Sequence, residues 1–270
     1  MQLQIASVFL ASLVFSGASH VWAQEPAPYL RIIREDIKSG KAAAHEKTEM
    51  AFARAFSKTK FPNYVAWEAM TGPTQAWFVE QYNSYAGIED ALRISNSEPL
   101  NSTLGQLDEA DGALRTGERT MIARFLKEDS YLPGPINFGK VRFISISVLR
   151  LRNGSGEDSQ EMRKIEKAAI EKAGGKWPVI VYRVGFGAQA ATYFYIVPMD
   201  SLKAMDEAPN WNTRQVLGEQ FDRYRKLRAD LIVSSDPVLF AVNPKMSNPP
   251  KSFLDADPDF WAPKPKAVTK

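Results

Sequence analysis

Apolar and charged residues alternate from Tyr29 to Glu35, a pattern that predicts a strand. Ser39-Gly40 breaks it, and Ala42 to Lys58 follows as a helix with Met50, Ala53 and Phe56 recurring on one side. Phe61-Pro62-Asn63 ends that helix. Two strands come next, Tyr64 to Met70 and Gln75 to Tyr82, joined through Thr71-Gly72-Pro73-Thr74. Asn83 or Ser84 can cap a helix that begins near Tyr85. Pro99 to Lys127 reads as helical, broken near Gly112 and Gly117, because Leu104, Leu107, Leu114, Ile122 and Phe125 fit one stripe.

Leu132-Pro133-Gly134-Pro135 is the clearest boundary in the chain, and after it the pattern restarts. Val141 to Arg152 predicts a strand. Asp158 to Glu161 resembles a capping box for a helix that runs to about Ala173. Val179 to Val184 and Thr192 to Val197 form the next strand pair, and Asp200-Ser201 caps a short helix through Met205. Val216, Leu217, Phe221, Tyr224, Leu227 and Leu231 mark a longer amphipathic helix, and Pro237 to Val242 a last strand. From Asn243 onward the prolines at 244, 249, 250, 258, 263 and 265 predict an extended tail.

The restart is a repeat. Trp67 and Tyr182 lie 115 positions apart, and the same offset carries Ile33 onto Val148, Met50 onto Ile165, Ala53 onto Ala168 and Gly72 onto Gly187. A period this long points to a duplicated domain instead of a solenoid. A β-hairpin between helices of a split β-α-β unit is the ferredoxin-like arrangement. Over Tyr29 to Val242 this order resembles the dimeric α/β-barrel superfamily, which includes NIPSNAP-like and antibiotic-monooxygenase-like proteins. The resemblance implies an α+β fold: two tandem ferredoxin-like β-α-β-β-α units in one chain, antiparallel sheets face to face, with helical insertions and a Pro-rich tail. The expected bounds are 24–132 for the first unit with its helical extension, 141–242 for the second and 243–270 for the tail. The superfamily hosts monooxygenases, haem enzymes, isomerases, stress-response proteins and ligand binders, so the resemblance does not choose a function.

Composition narrows the classes. Of 270 residues, 44% are hydrophobic and 24% charged, as in ordinary globular proteins, and the net charge is only +3. Lys and Arg alternate with Asp and Glu, and the densest basic run, Arg223 to Arg228, has helical spacing and reads as a solvated face, which argues against nucleic-acid binding. There is no cysteine, so disulfides, thiolate metal sites and a cysteine nucleophile are excluded. An apolar run from Ile5 to Phe15, followed by Val21-Trp22-Ala23, predicts a signal peptide over 1–23 and export to the periplasm or the extracellular space, although no positive charge precedes the run. No later segment is long and apolar enough to span a membrane.

Loss of such a leader removes His20 and leaves His45 as the single imidazole. Its repeat-equivalent is Gln160, beside a helix start, so His45 is expected at the surface. A zinc site built from several histidines or cysteines is not available, and neither metal nor cofactor is expected. Gly185-Phe186-Gly187 lies between strands with no helix after it and reads as a turn, not as a dinucleotide motif. No nucleophile elbow, phosphate loop or HExxH occurs.

Strand alternation supplies the remaining candidates. Trp67 lies on the more apolar face of its strand, which is expected to pack under the helices. Glu68 and Glu80 would then look into the space between the sheets. Their repeat-equivalents are Arg183 and Tyr195, and Arg34 can join them from the first strand. Glu68, Glu80, Arg183, Tyr195 and Arg34 are therefore the candidate wall of a small-molecule cavity, with Glu68 or Glu80 as the base if the protein is an enzyme. The same residues would serve equally as a plain ion pair between sheets. Three functions follow: an exported small-molecule binder, a cofactor-independent monooxygenase or isomerase using the same cavity, or a non-catalytic interaction protein. A homo-oligomer is compatible with all three.

Overall fold

The computed structural model describes residues 25–132 and 134–262. The expected leader, Pro133, Pro263 and Pro265 lie outside that range. The first part of the chain runs β1 (Tyr29–Ile37), α1 (Ala42–Phe56), β2 (Tyr64–Ala69), β3 (Gln75–Tyr82), α2 (Tyr85–Ser95), α3 (Leu100–Gly112) and β4 (Arg115–Phe125). The second runs β5 (Phe143–Leu151), α4 (Gly156–Lys172), β6 (Ile180–Phe186), β7 (Thr192–Met199), the short α5 (Lys203–Asp206) and α6 (Arg214–Leu217), then α7 (Gln220–Leu231) and β8 (Ile232–Asn248). Two short helices close the described chain, α8 (Lys251–Ala256) and α9 (Pro258–Trp261).

The eight strands form one closed antiparallel barrel in the order β1-β3-β2-β8-β5-β7-β6-β4, with β4 returning to β1. Each half supplies four neighbouring strands, and two seams join them, β2 with β8 and β4 with β6. No sheet edge is left open, which removes the unpaired backbone groups that an edge strand presents.

Trp67 faces the barrel interior, not the helices. Leu30, Ile32, Trp67, Trp77, Val79, Tyr182, Phe194, Ile196 and Phe240 belong to one buried cluster fed by strands from both halves. Trp77 lies between Phe194 and Phe240, with ring centroids 5.6 Å and 5.2 Å away, and its indole N–H donates to Gln75. Each buried side chain of this size contributes roughly 1.5–3 kcal/mol. The more apolar strand face therefore lines the space between the sheets, and the faces bearing Glu68 and Glu80 turn outward to the helices. The expected open cavity between the sheets is largely filled. About 50 Å³ remains at one end, where Phe253 and Trp261 close it.

The segment read as the end of a helix, around Ile122 and Phe125, is strand β4. Met121 and Ala123 point inward while Arg115 to Thr120 are mostly exposed, so the strand shows almost no apolar alternation. The last strand also runs past Val242 to Asn248, despite Pro244. A bulge opposite Tyr64 and Ala66 takes up the proline, and side chains satisfy its backbone. Asn243 accepts from the Lys245 N–H, and the Ser247 hydroxyl accepts from the Ala66 N–H. The described part of the tail beyond β8 is helical in α8 and α9, not extended, because Pro250 and Pro258 sit at helix starts, where a missing N–H costs nothing. Trp261 donates to the Gly139 carbonyl at 2.8 Å, and Arg142 lies 3.7 Å above the Phe260 ring while pairing with Asp257.

The glycines of the two hairpins differ. Both have positive φ, but a Cβ on Gly72 would meet nothing, whereas one on Gly187 would lie 2.0 Å from the Thr120 carbonyl oxygen. Gly187 is thus a contact glycine at the β4–β6 seam as well as a turn residue.

Candidate functional site

A buried polar cluster that opens to a cleft lies on the outer face of the first four strands, under α1 and α3. Strand parity turns Arg31, Ile33 and Glu35 of β1 outward, opposite the inward Leu30 and Ile32. In α1 the side chains at i, i+4 and i+8, namely His45, Glu49 and Ala53, form the buried stripe. Asp111 comes from the last turn of α3 and Arg115 from the first residue of β4. Glu35 lies across from the small Ala76, which leaves room above it for the imidazole.

His45 is fully buried, contrary to the surface position expected from Gln160. Gln160 is exposed, but the buried stripe of α4 falls on Ser159, Met162, Arg163 and Glu166, so the repeat offset does not hold residue by residue in this helix. His45 Nε2 lies 2.6 Å from Glu35 Oε2 and 4.0 Å from Asp111 Oδ1. Arg115 donates to the other Glu35 oxygen at 2.8 Å, contacts Asp111 Oδ2 at 2.9 Å, and reaches Asp108 and Glu118 nearer the solvent. One guanidinium therefore fixes two of the three buried carboxyls, which is the planar multidentate role that suits arginine. Potential ligand atoms of Glu35, His45, Glu49 and Asp111 all lie within 4.8 Å of one another.

Glu49 has no hydrogen-bond partner among the described residues and faces a cleft of about 230 Å³. The cleft is walled by the rings of Phe52, Phe56, Phe61, Tyr64 and Phe78, and its polar lining includes Glu35, Glu49 and Glu80 with Arg31 and Arg115. Burial, then the charges of Glu35 and Asp111, push the Glu49 carboxyl well above its ordinary range. The same causes, burial first and then Glu35, push Asp111 up to about 6. Arg31 enters from the side and donates to both oxygens of Glu80 at 2.9 and 3.0 Å, while the Tyr82 hydroxyl donates to Glu80 at 2.5 Å.

The second half offers the contrast. Its buried helix carboxylate, Glu166, accepts from Tyr195 at 3.0 Å, Tyr224 at 2.7 Å and Arg228 at 3.2 Å. Where the first half keeps a cleft beside Glu49, the second fills the space with two tyrosines and an arginine. Tyr195→Phe should cost about 1–2 kcal/mol in a denaturant titration, since a buried carboxyl loses one donor. A change within error would mean that water takes the donor's place.

The structure does not bring the sequence candidates together. Glu68 accepts from Asn243 at 2.6 Å, in a group with Glu46 and Lys245. Arg183 is exposed on β6, four strands around the ring from β2, so the two cannot meet. Both follow the outward parity of their strands, and this is the physical reason the proposed confrontation fails. Tyr195 belongs to the Glu166 group, and Arg34 holds Asp36 at 2.8 Å. Only Glu80 borders the cleft. Sequence reading missed Glu35, His45, Glu49, Asp111, Arg115 and Arg31. The available signal was the His45-Glu49-Ala53 stripe, two titratable residues on the side of the helix that also carries Phe52 and Phe56.

No family model matches the chain, and no curated protein matches it in sequence. Solved structures do match in shape. An anthrone oxidase-like protein superposes with a TM-score of 0.53 at 13% identity, over 80% of this chain and 92% of that one. A protein provisionally named a monooxygenase, from Fusobacterium nucleatum subsp. nucleatum, gives 0.51 at 12% identity, over 81% and 94%. The likeness is one of fold: the chain shares the α+β-barrel architecture of these two structures. Identities this low carry no chemistry across. Among the described residues no helix is long and apolar enough to cross a membrane.

Proposed function

We propose that this protein binds a small, largely aromatic molecule carrying a hydrogen-bond donor or a cationic group, in the cleft between the first sheet face and α1. The observation that carries this is Glu49, a buried carboxyl without a hydrogen-bond partner in the lining of a cleft walled by five aromatic rings. Pockets of this kind bind through an apolar body and a few placed polar groups. The rings receive the apolar part of the ligand. Glu49 and Glu35 receive its donor.

Two broader readings go with this one. The repeated element order and the matching strand order of the halves support a tandem pair of ferredoxin-like units, of the antibiotic-monooxygenase-like or NIPSNAP-like kind. The apolar run and small residues before Gln24 support export. In the tandem reading one half keeps an open site and the other has closed its counterpart around Glu166.

The test uses 2-naphthol, an aromatic probe with one hydroxyl donor, titrated by fluorescence into the full chain in buffer with EDTA. Phe52→Ala and Glu49→Gln should each weaken binding at least about fivefold, which is about 1 kcal/mol. Glu68→Gln should leave it unchanged, because Glu68 lies outside the cleft. No saturable binding, or equal binding by all variants, would exclude this site. Native mass spectrometry of protein from its own source would then identify a retained ligand directly.

A further inference from the structure

We infer that Glu35, His45, Glu49 and Asp111 form a binding site for one first-row divalent cation beside the cleft, whose lining already includes Glu35 and Glu49. The inference rests on the cleft being the functional site, and it adds an ion to a pocket so far described only by its side chains.

Geometry comes first. The four residues come from three elements, β1, α1 and α3, and offer ligand atoms within 4.8 Å of one another. Ligands around an ion at about 2.0–2.2 Å stand roughly 3–4 Å apart, so a modest inward shift of side chains completes the shell. His45 and Glu49 are one helical turn apart and point to the same place without help from a loop. Arg115 holds Glu35 and Asp111 from behind, an outer partner that orients ligands.

Two observations point to a cation site beyond the clustering of acids. The Asp111 side chain is 1% exposed, and neither of its oxygens receives a hydrogen bond; Oδ2 has only the ionic contact with Arg115, and Oδ1 faces His45 with nothing between. A carboxylate oxygen buried without a donor is costly, and a cation removes the cost. The second observation is charge. Three buried carboxyls face a single guanidinium, and Asp108 and Glu118 draw on that guanidinium as well. With all three ionised the pocket lacks two positive charges, which one divalent ion supplies.

The donor set selects the ion. Three carboxylates and an imidazole, without sulfur, suit Mn²⁺, Fe²⁺ or Zn²⁺. Calcium prefers shells made wholly of oxygen, and magnesium keeps much of its water. The partner half has no such set: two tyrosines and Arg228 already donate to the Glu166 oxygens, and the guanidinium supplies the positive charge there.

The experiment is calorimetric titration of Mn²⁺ and of Zn²⁺ into the EDTA-stripped, desalted full chain, with electron paramagnetic resonance to count bound Mn²⁺. One ion should bind per chain. Asp111→Asn and Glu49→Gln, both isosteric and each checked for folding by circular dichroism, should weaken it at least about tenfold. Phe52→Ala should bind the ion like the wild type while losing 2-naphthol, and Asp111→Asn should do the reverse. Absence of a saturable one-to-one isotherm for both ions overturns the inference, as does a wild-type isotherm that neither carboxyl variant changes. In either case 2-naphthol binding in EDTA still reports on the cleft by itself.

Discussion

Arg115→Met should destabilise the protein by about 3–5 kcal/mol at pH 8, the usual cost of leaving buried charge without its partner. Methionine matches the arginine stem in length, so packing is largely kept and the charge effect is isolated. Glu35 and Asp111 lose the guanidinium that now touches both. The deficit should grow with pH. Asp111 already sits at about 6 in the folded protein, against an ordinary 3.8. A raised carboxyl means that the folded state holds its proton to higher pH than the unfolded chain. Its contribution is therefore intact below about pH 4 and falls as pH rises through the folded value. Removing Arg115 raises that value further, so wild type and variant should diverge more at pH 8 than at pH 5. Urea titrations at the two pH values, in EDTA so that no cation substitutes for the lost charge, provide the comparison. A loss below about 1 kcal/mol at both pH values would mean that solvent already screens these carboxylates.

Gly187→Ala should be nearly as damaging, at about 3 kcal/mol. Roughly 1–2 kcal/mol comes from holding alanine in left-handed backbone, and a further 1–3 from overpacking. The obstacle is a main-chain carbonyl at 2.0 Å, which cannot rotate away as a side chain would. The β4–β6 seam has to separate locally. Gly72→Ala, at the matching turn of the first half, has left-handed backbone but free space around it, and should cost only the first part. Thermal melts of the two variants test the pair together. Equal losses would show that the seam carries no special strain.

These contrasts show what the sequence could and could not convey. Element order was legible because Gly and Pro punctuate it, and β3 was placed to the residue. Strand β4 was hidden because its outer half carries Arg115, Glu118 and Arg119, charges that serve the site and the surface instead of an apolar alternation. The repeat itself holds the correction: Pro237 to Val242, moved back by the offset of 115, falls on residues 122 to 127, which overlap the last four residues of β4. The faces were reversed because an open sheet buries its apolar side under helices, whereas a closed barrel buries it against itself. Only ring closure reveals which case applies, and closure is a long-range property of β2 with β8 and β4 with β6. The site was missed for a related reason. Glu35, His45 and Asp111 come together across gaps of 10 and 66 positions that no local pattern marks. Counting prolines predicts an extended tail, whereas their positions at the starts of α8 and α9 decide its structure there.

The closed ring has a consequence for any fragment of this chain. Cut in the loop before β5, the first half would keep its four strands but expose both borders, β2 and β4. Those borders are antiparallel templates already shaped to receive a partner strand. Such a fragment should not stay monomeric. It should recruit a copy of itself across the two borders or precipitate through them, so that a two-chain assembly takes the place of the covalent ring.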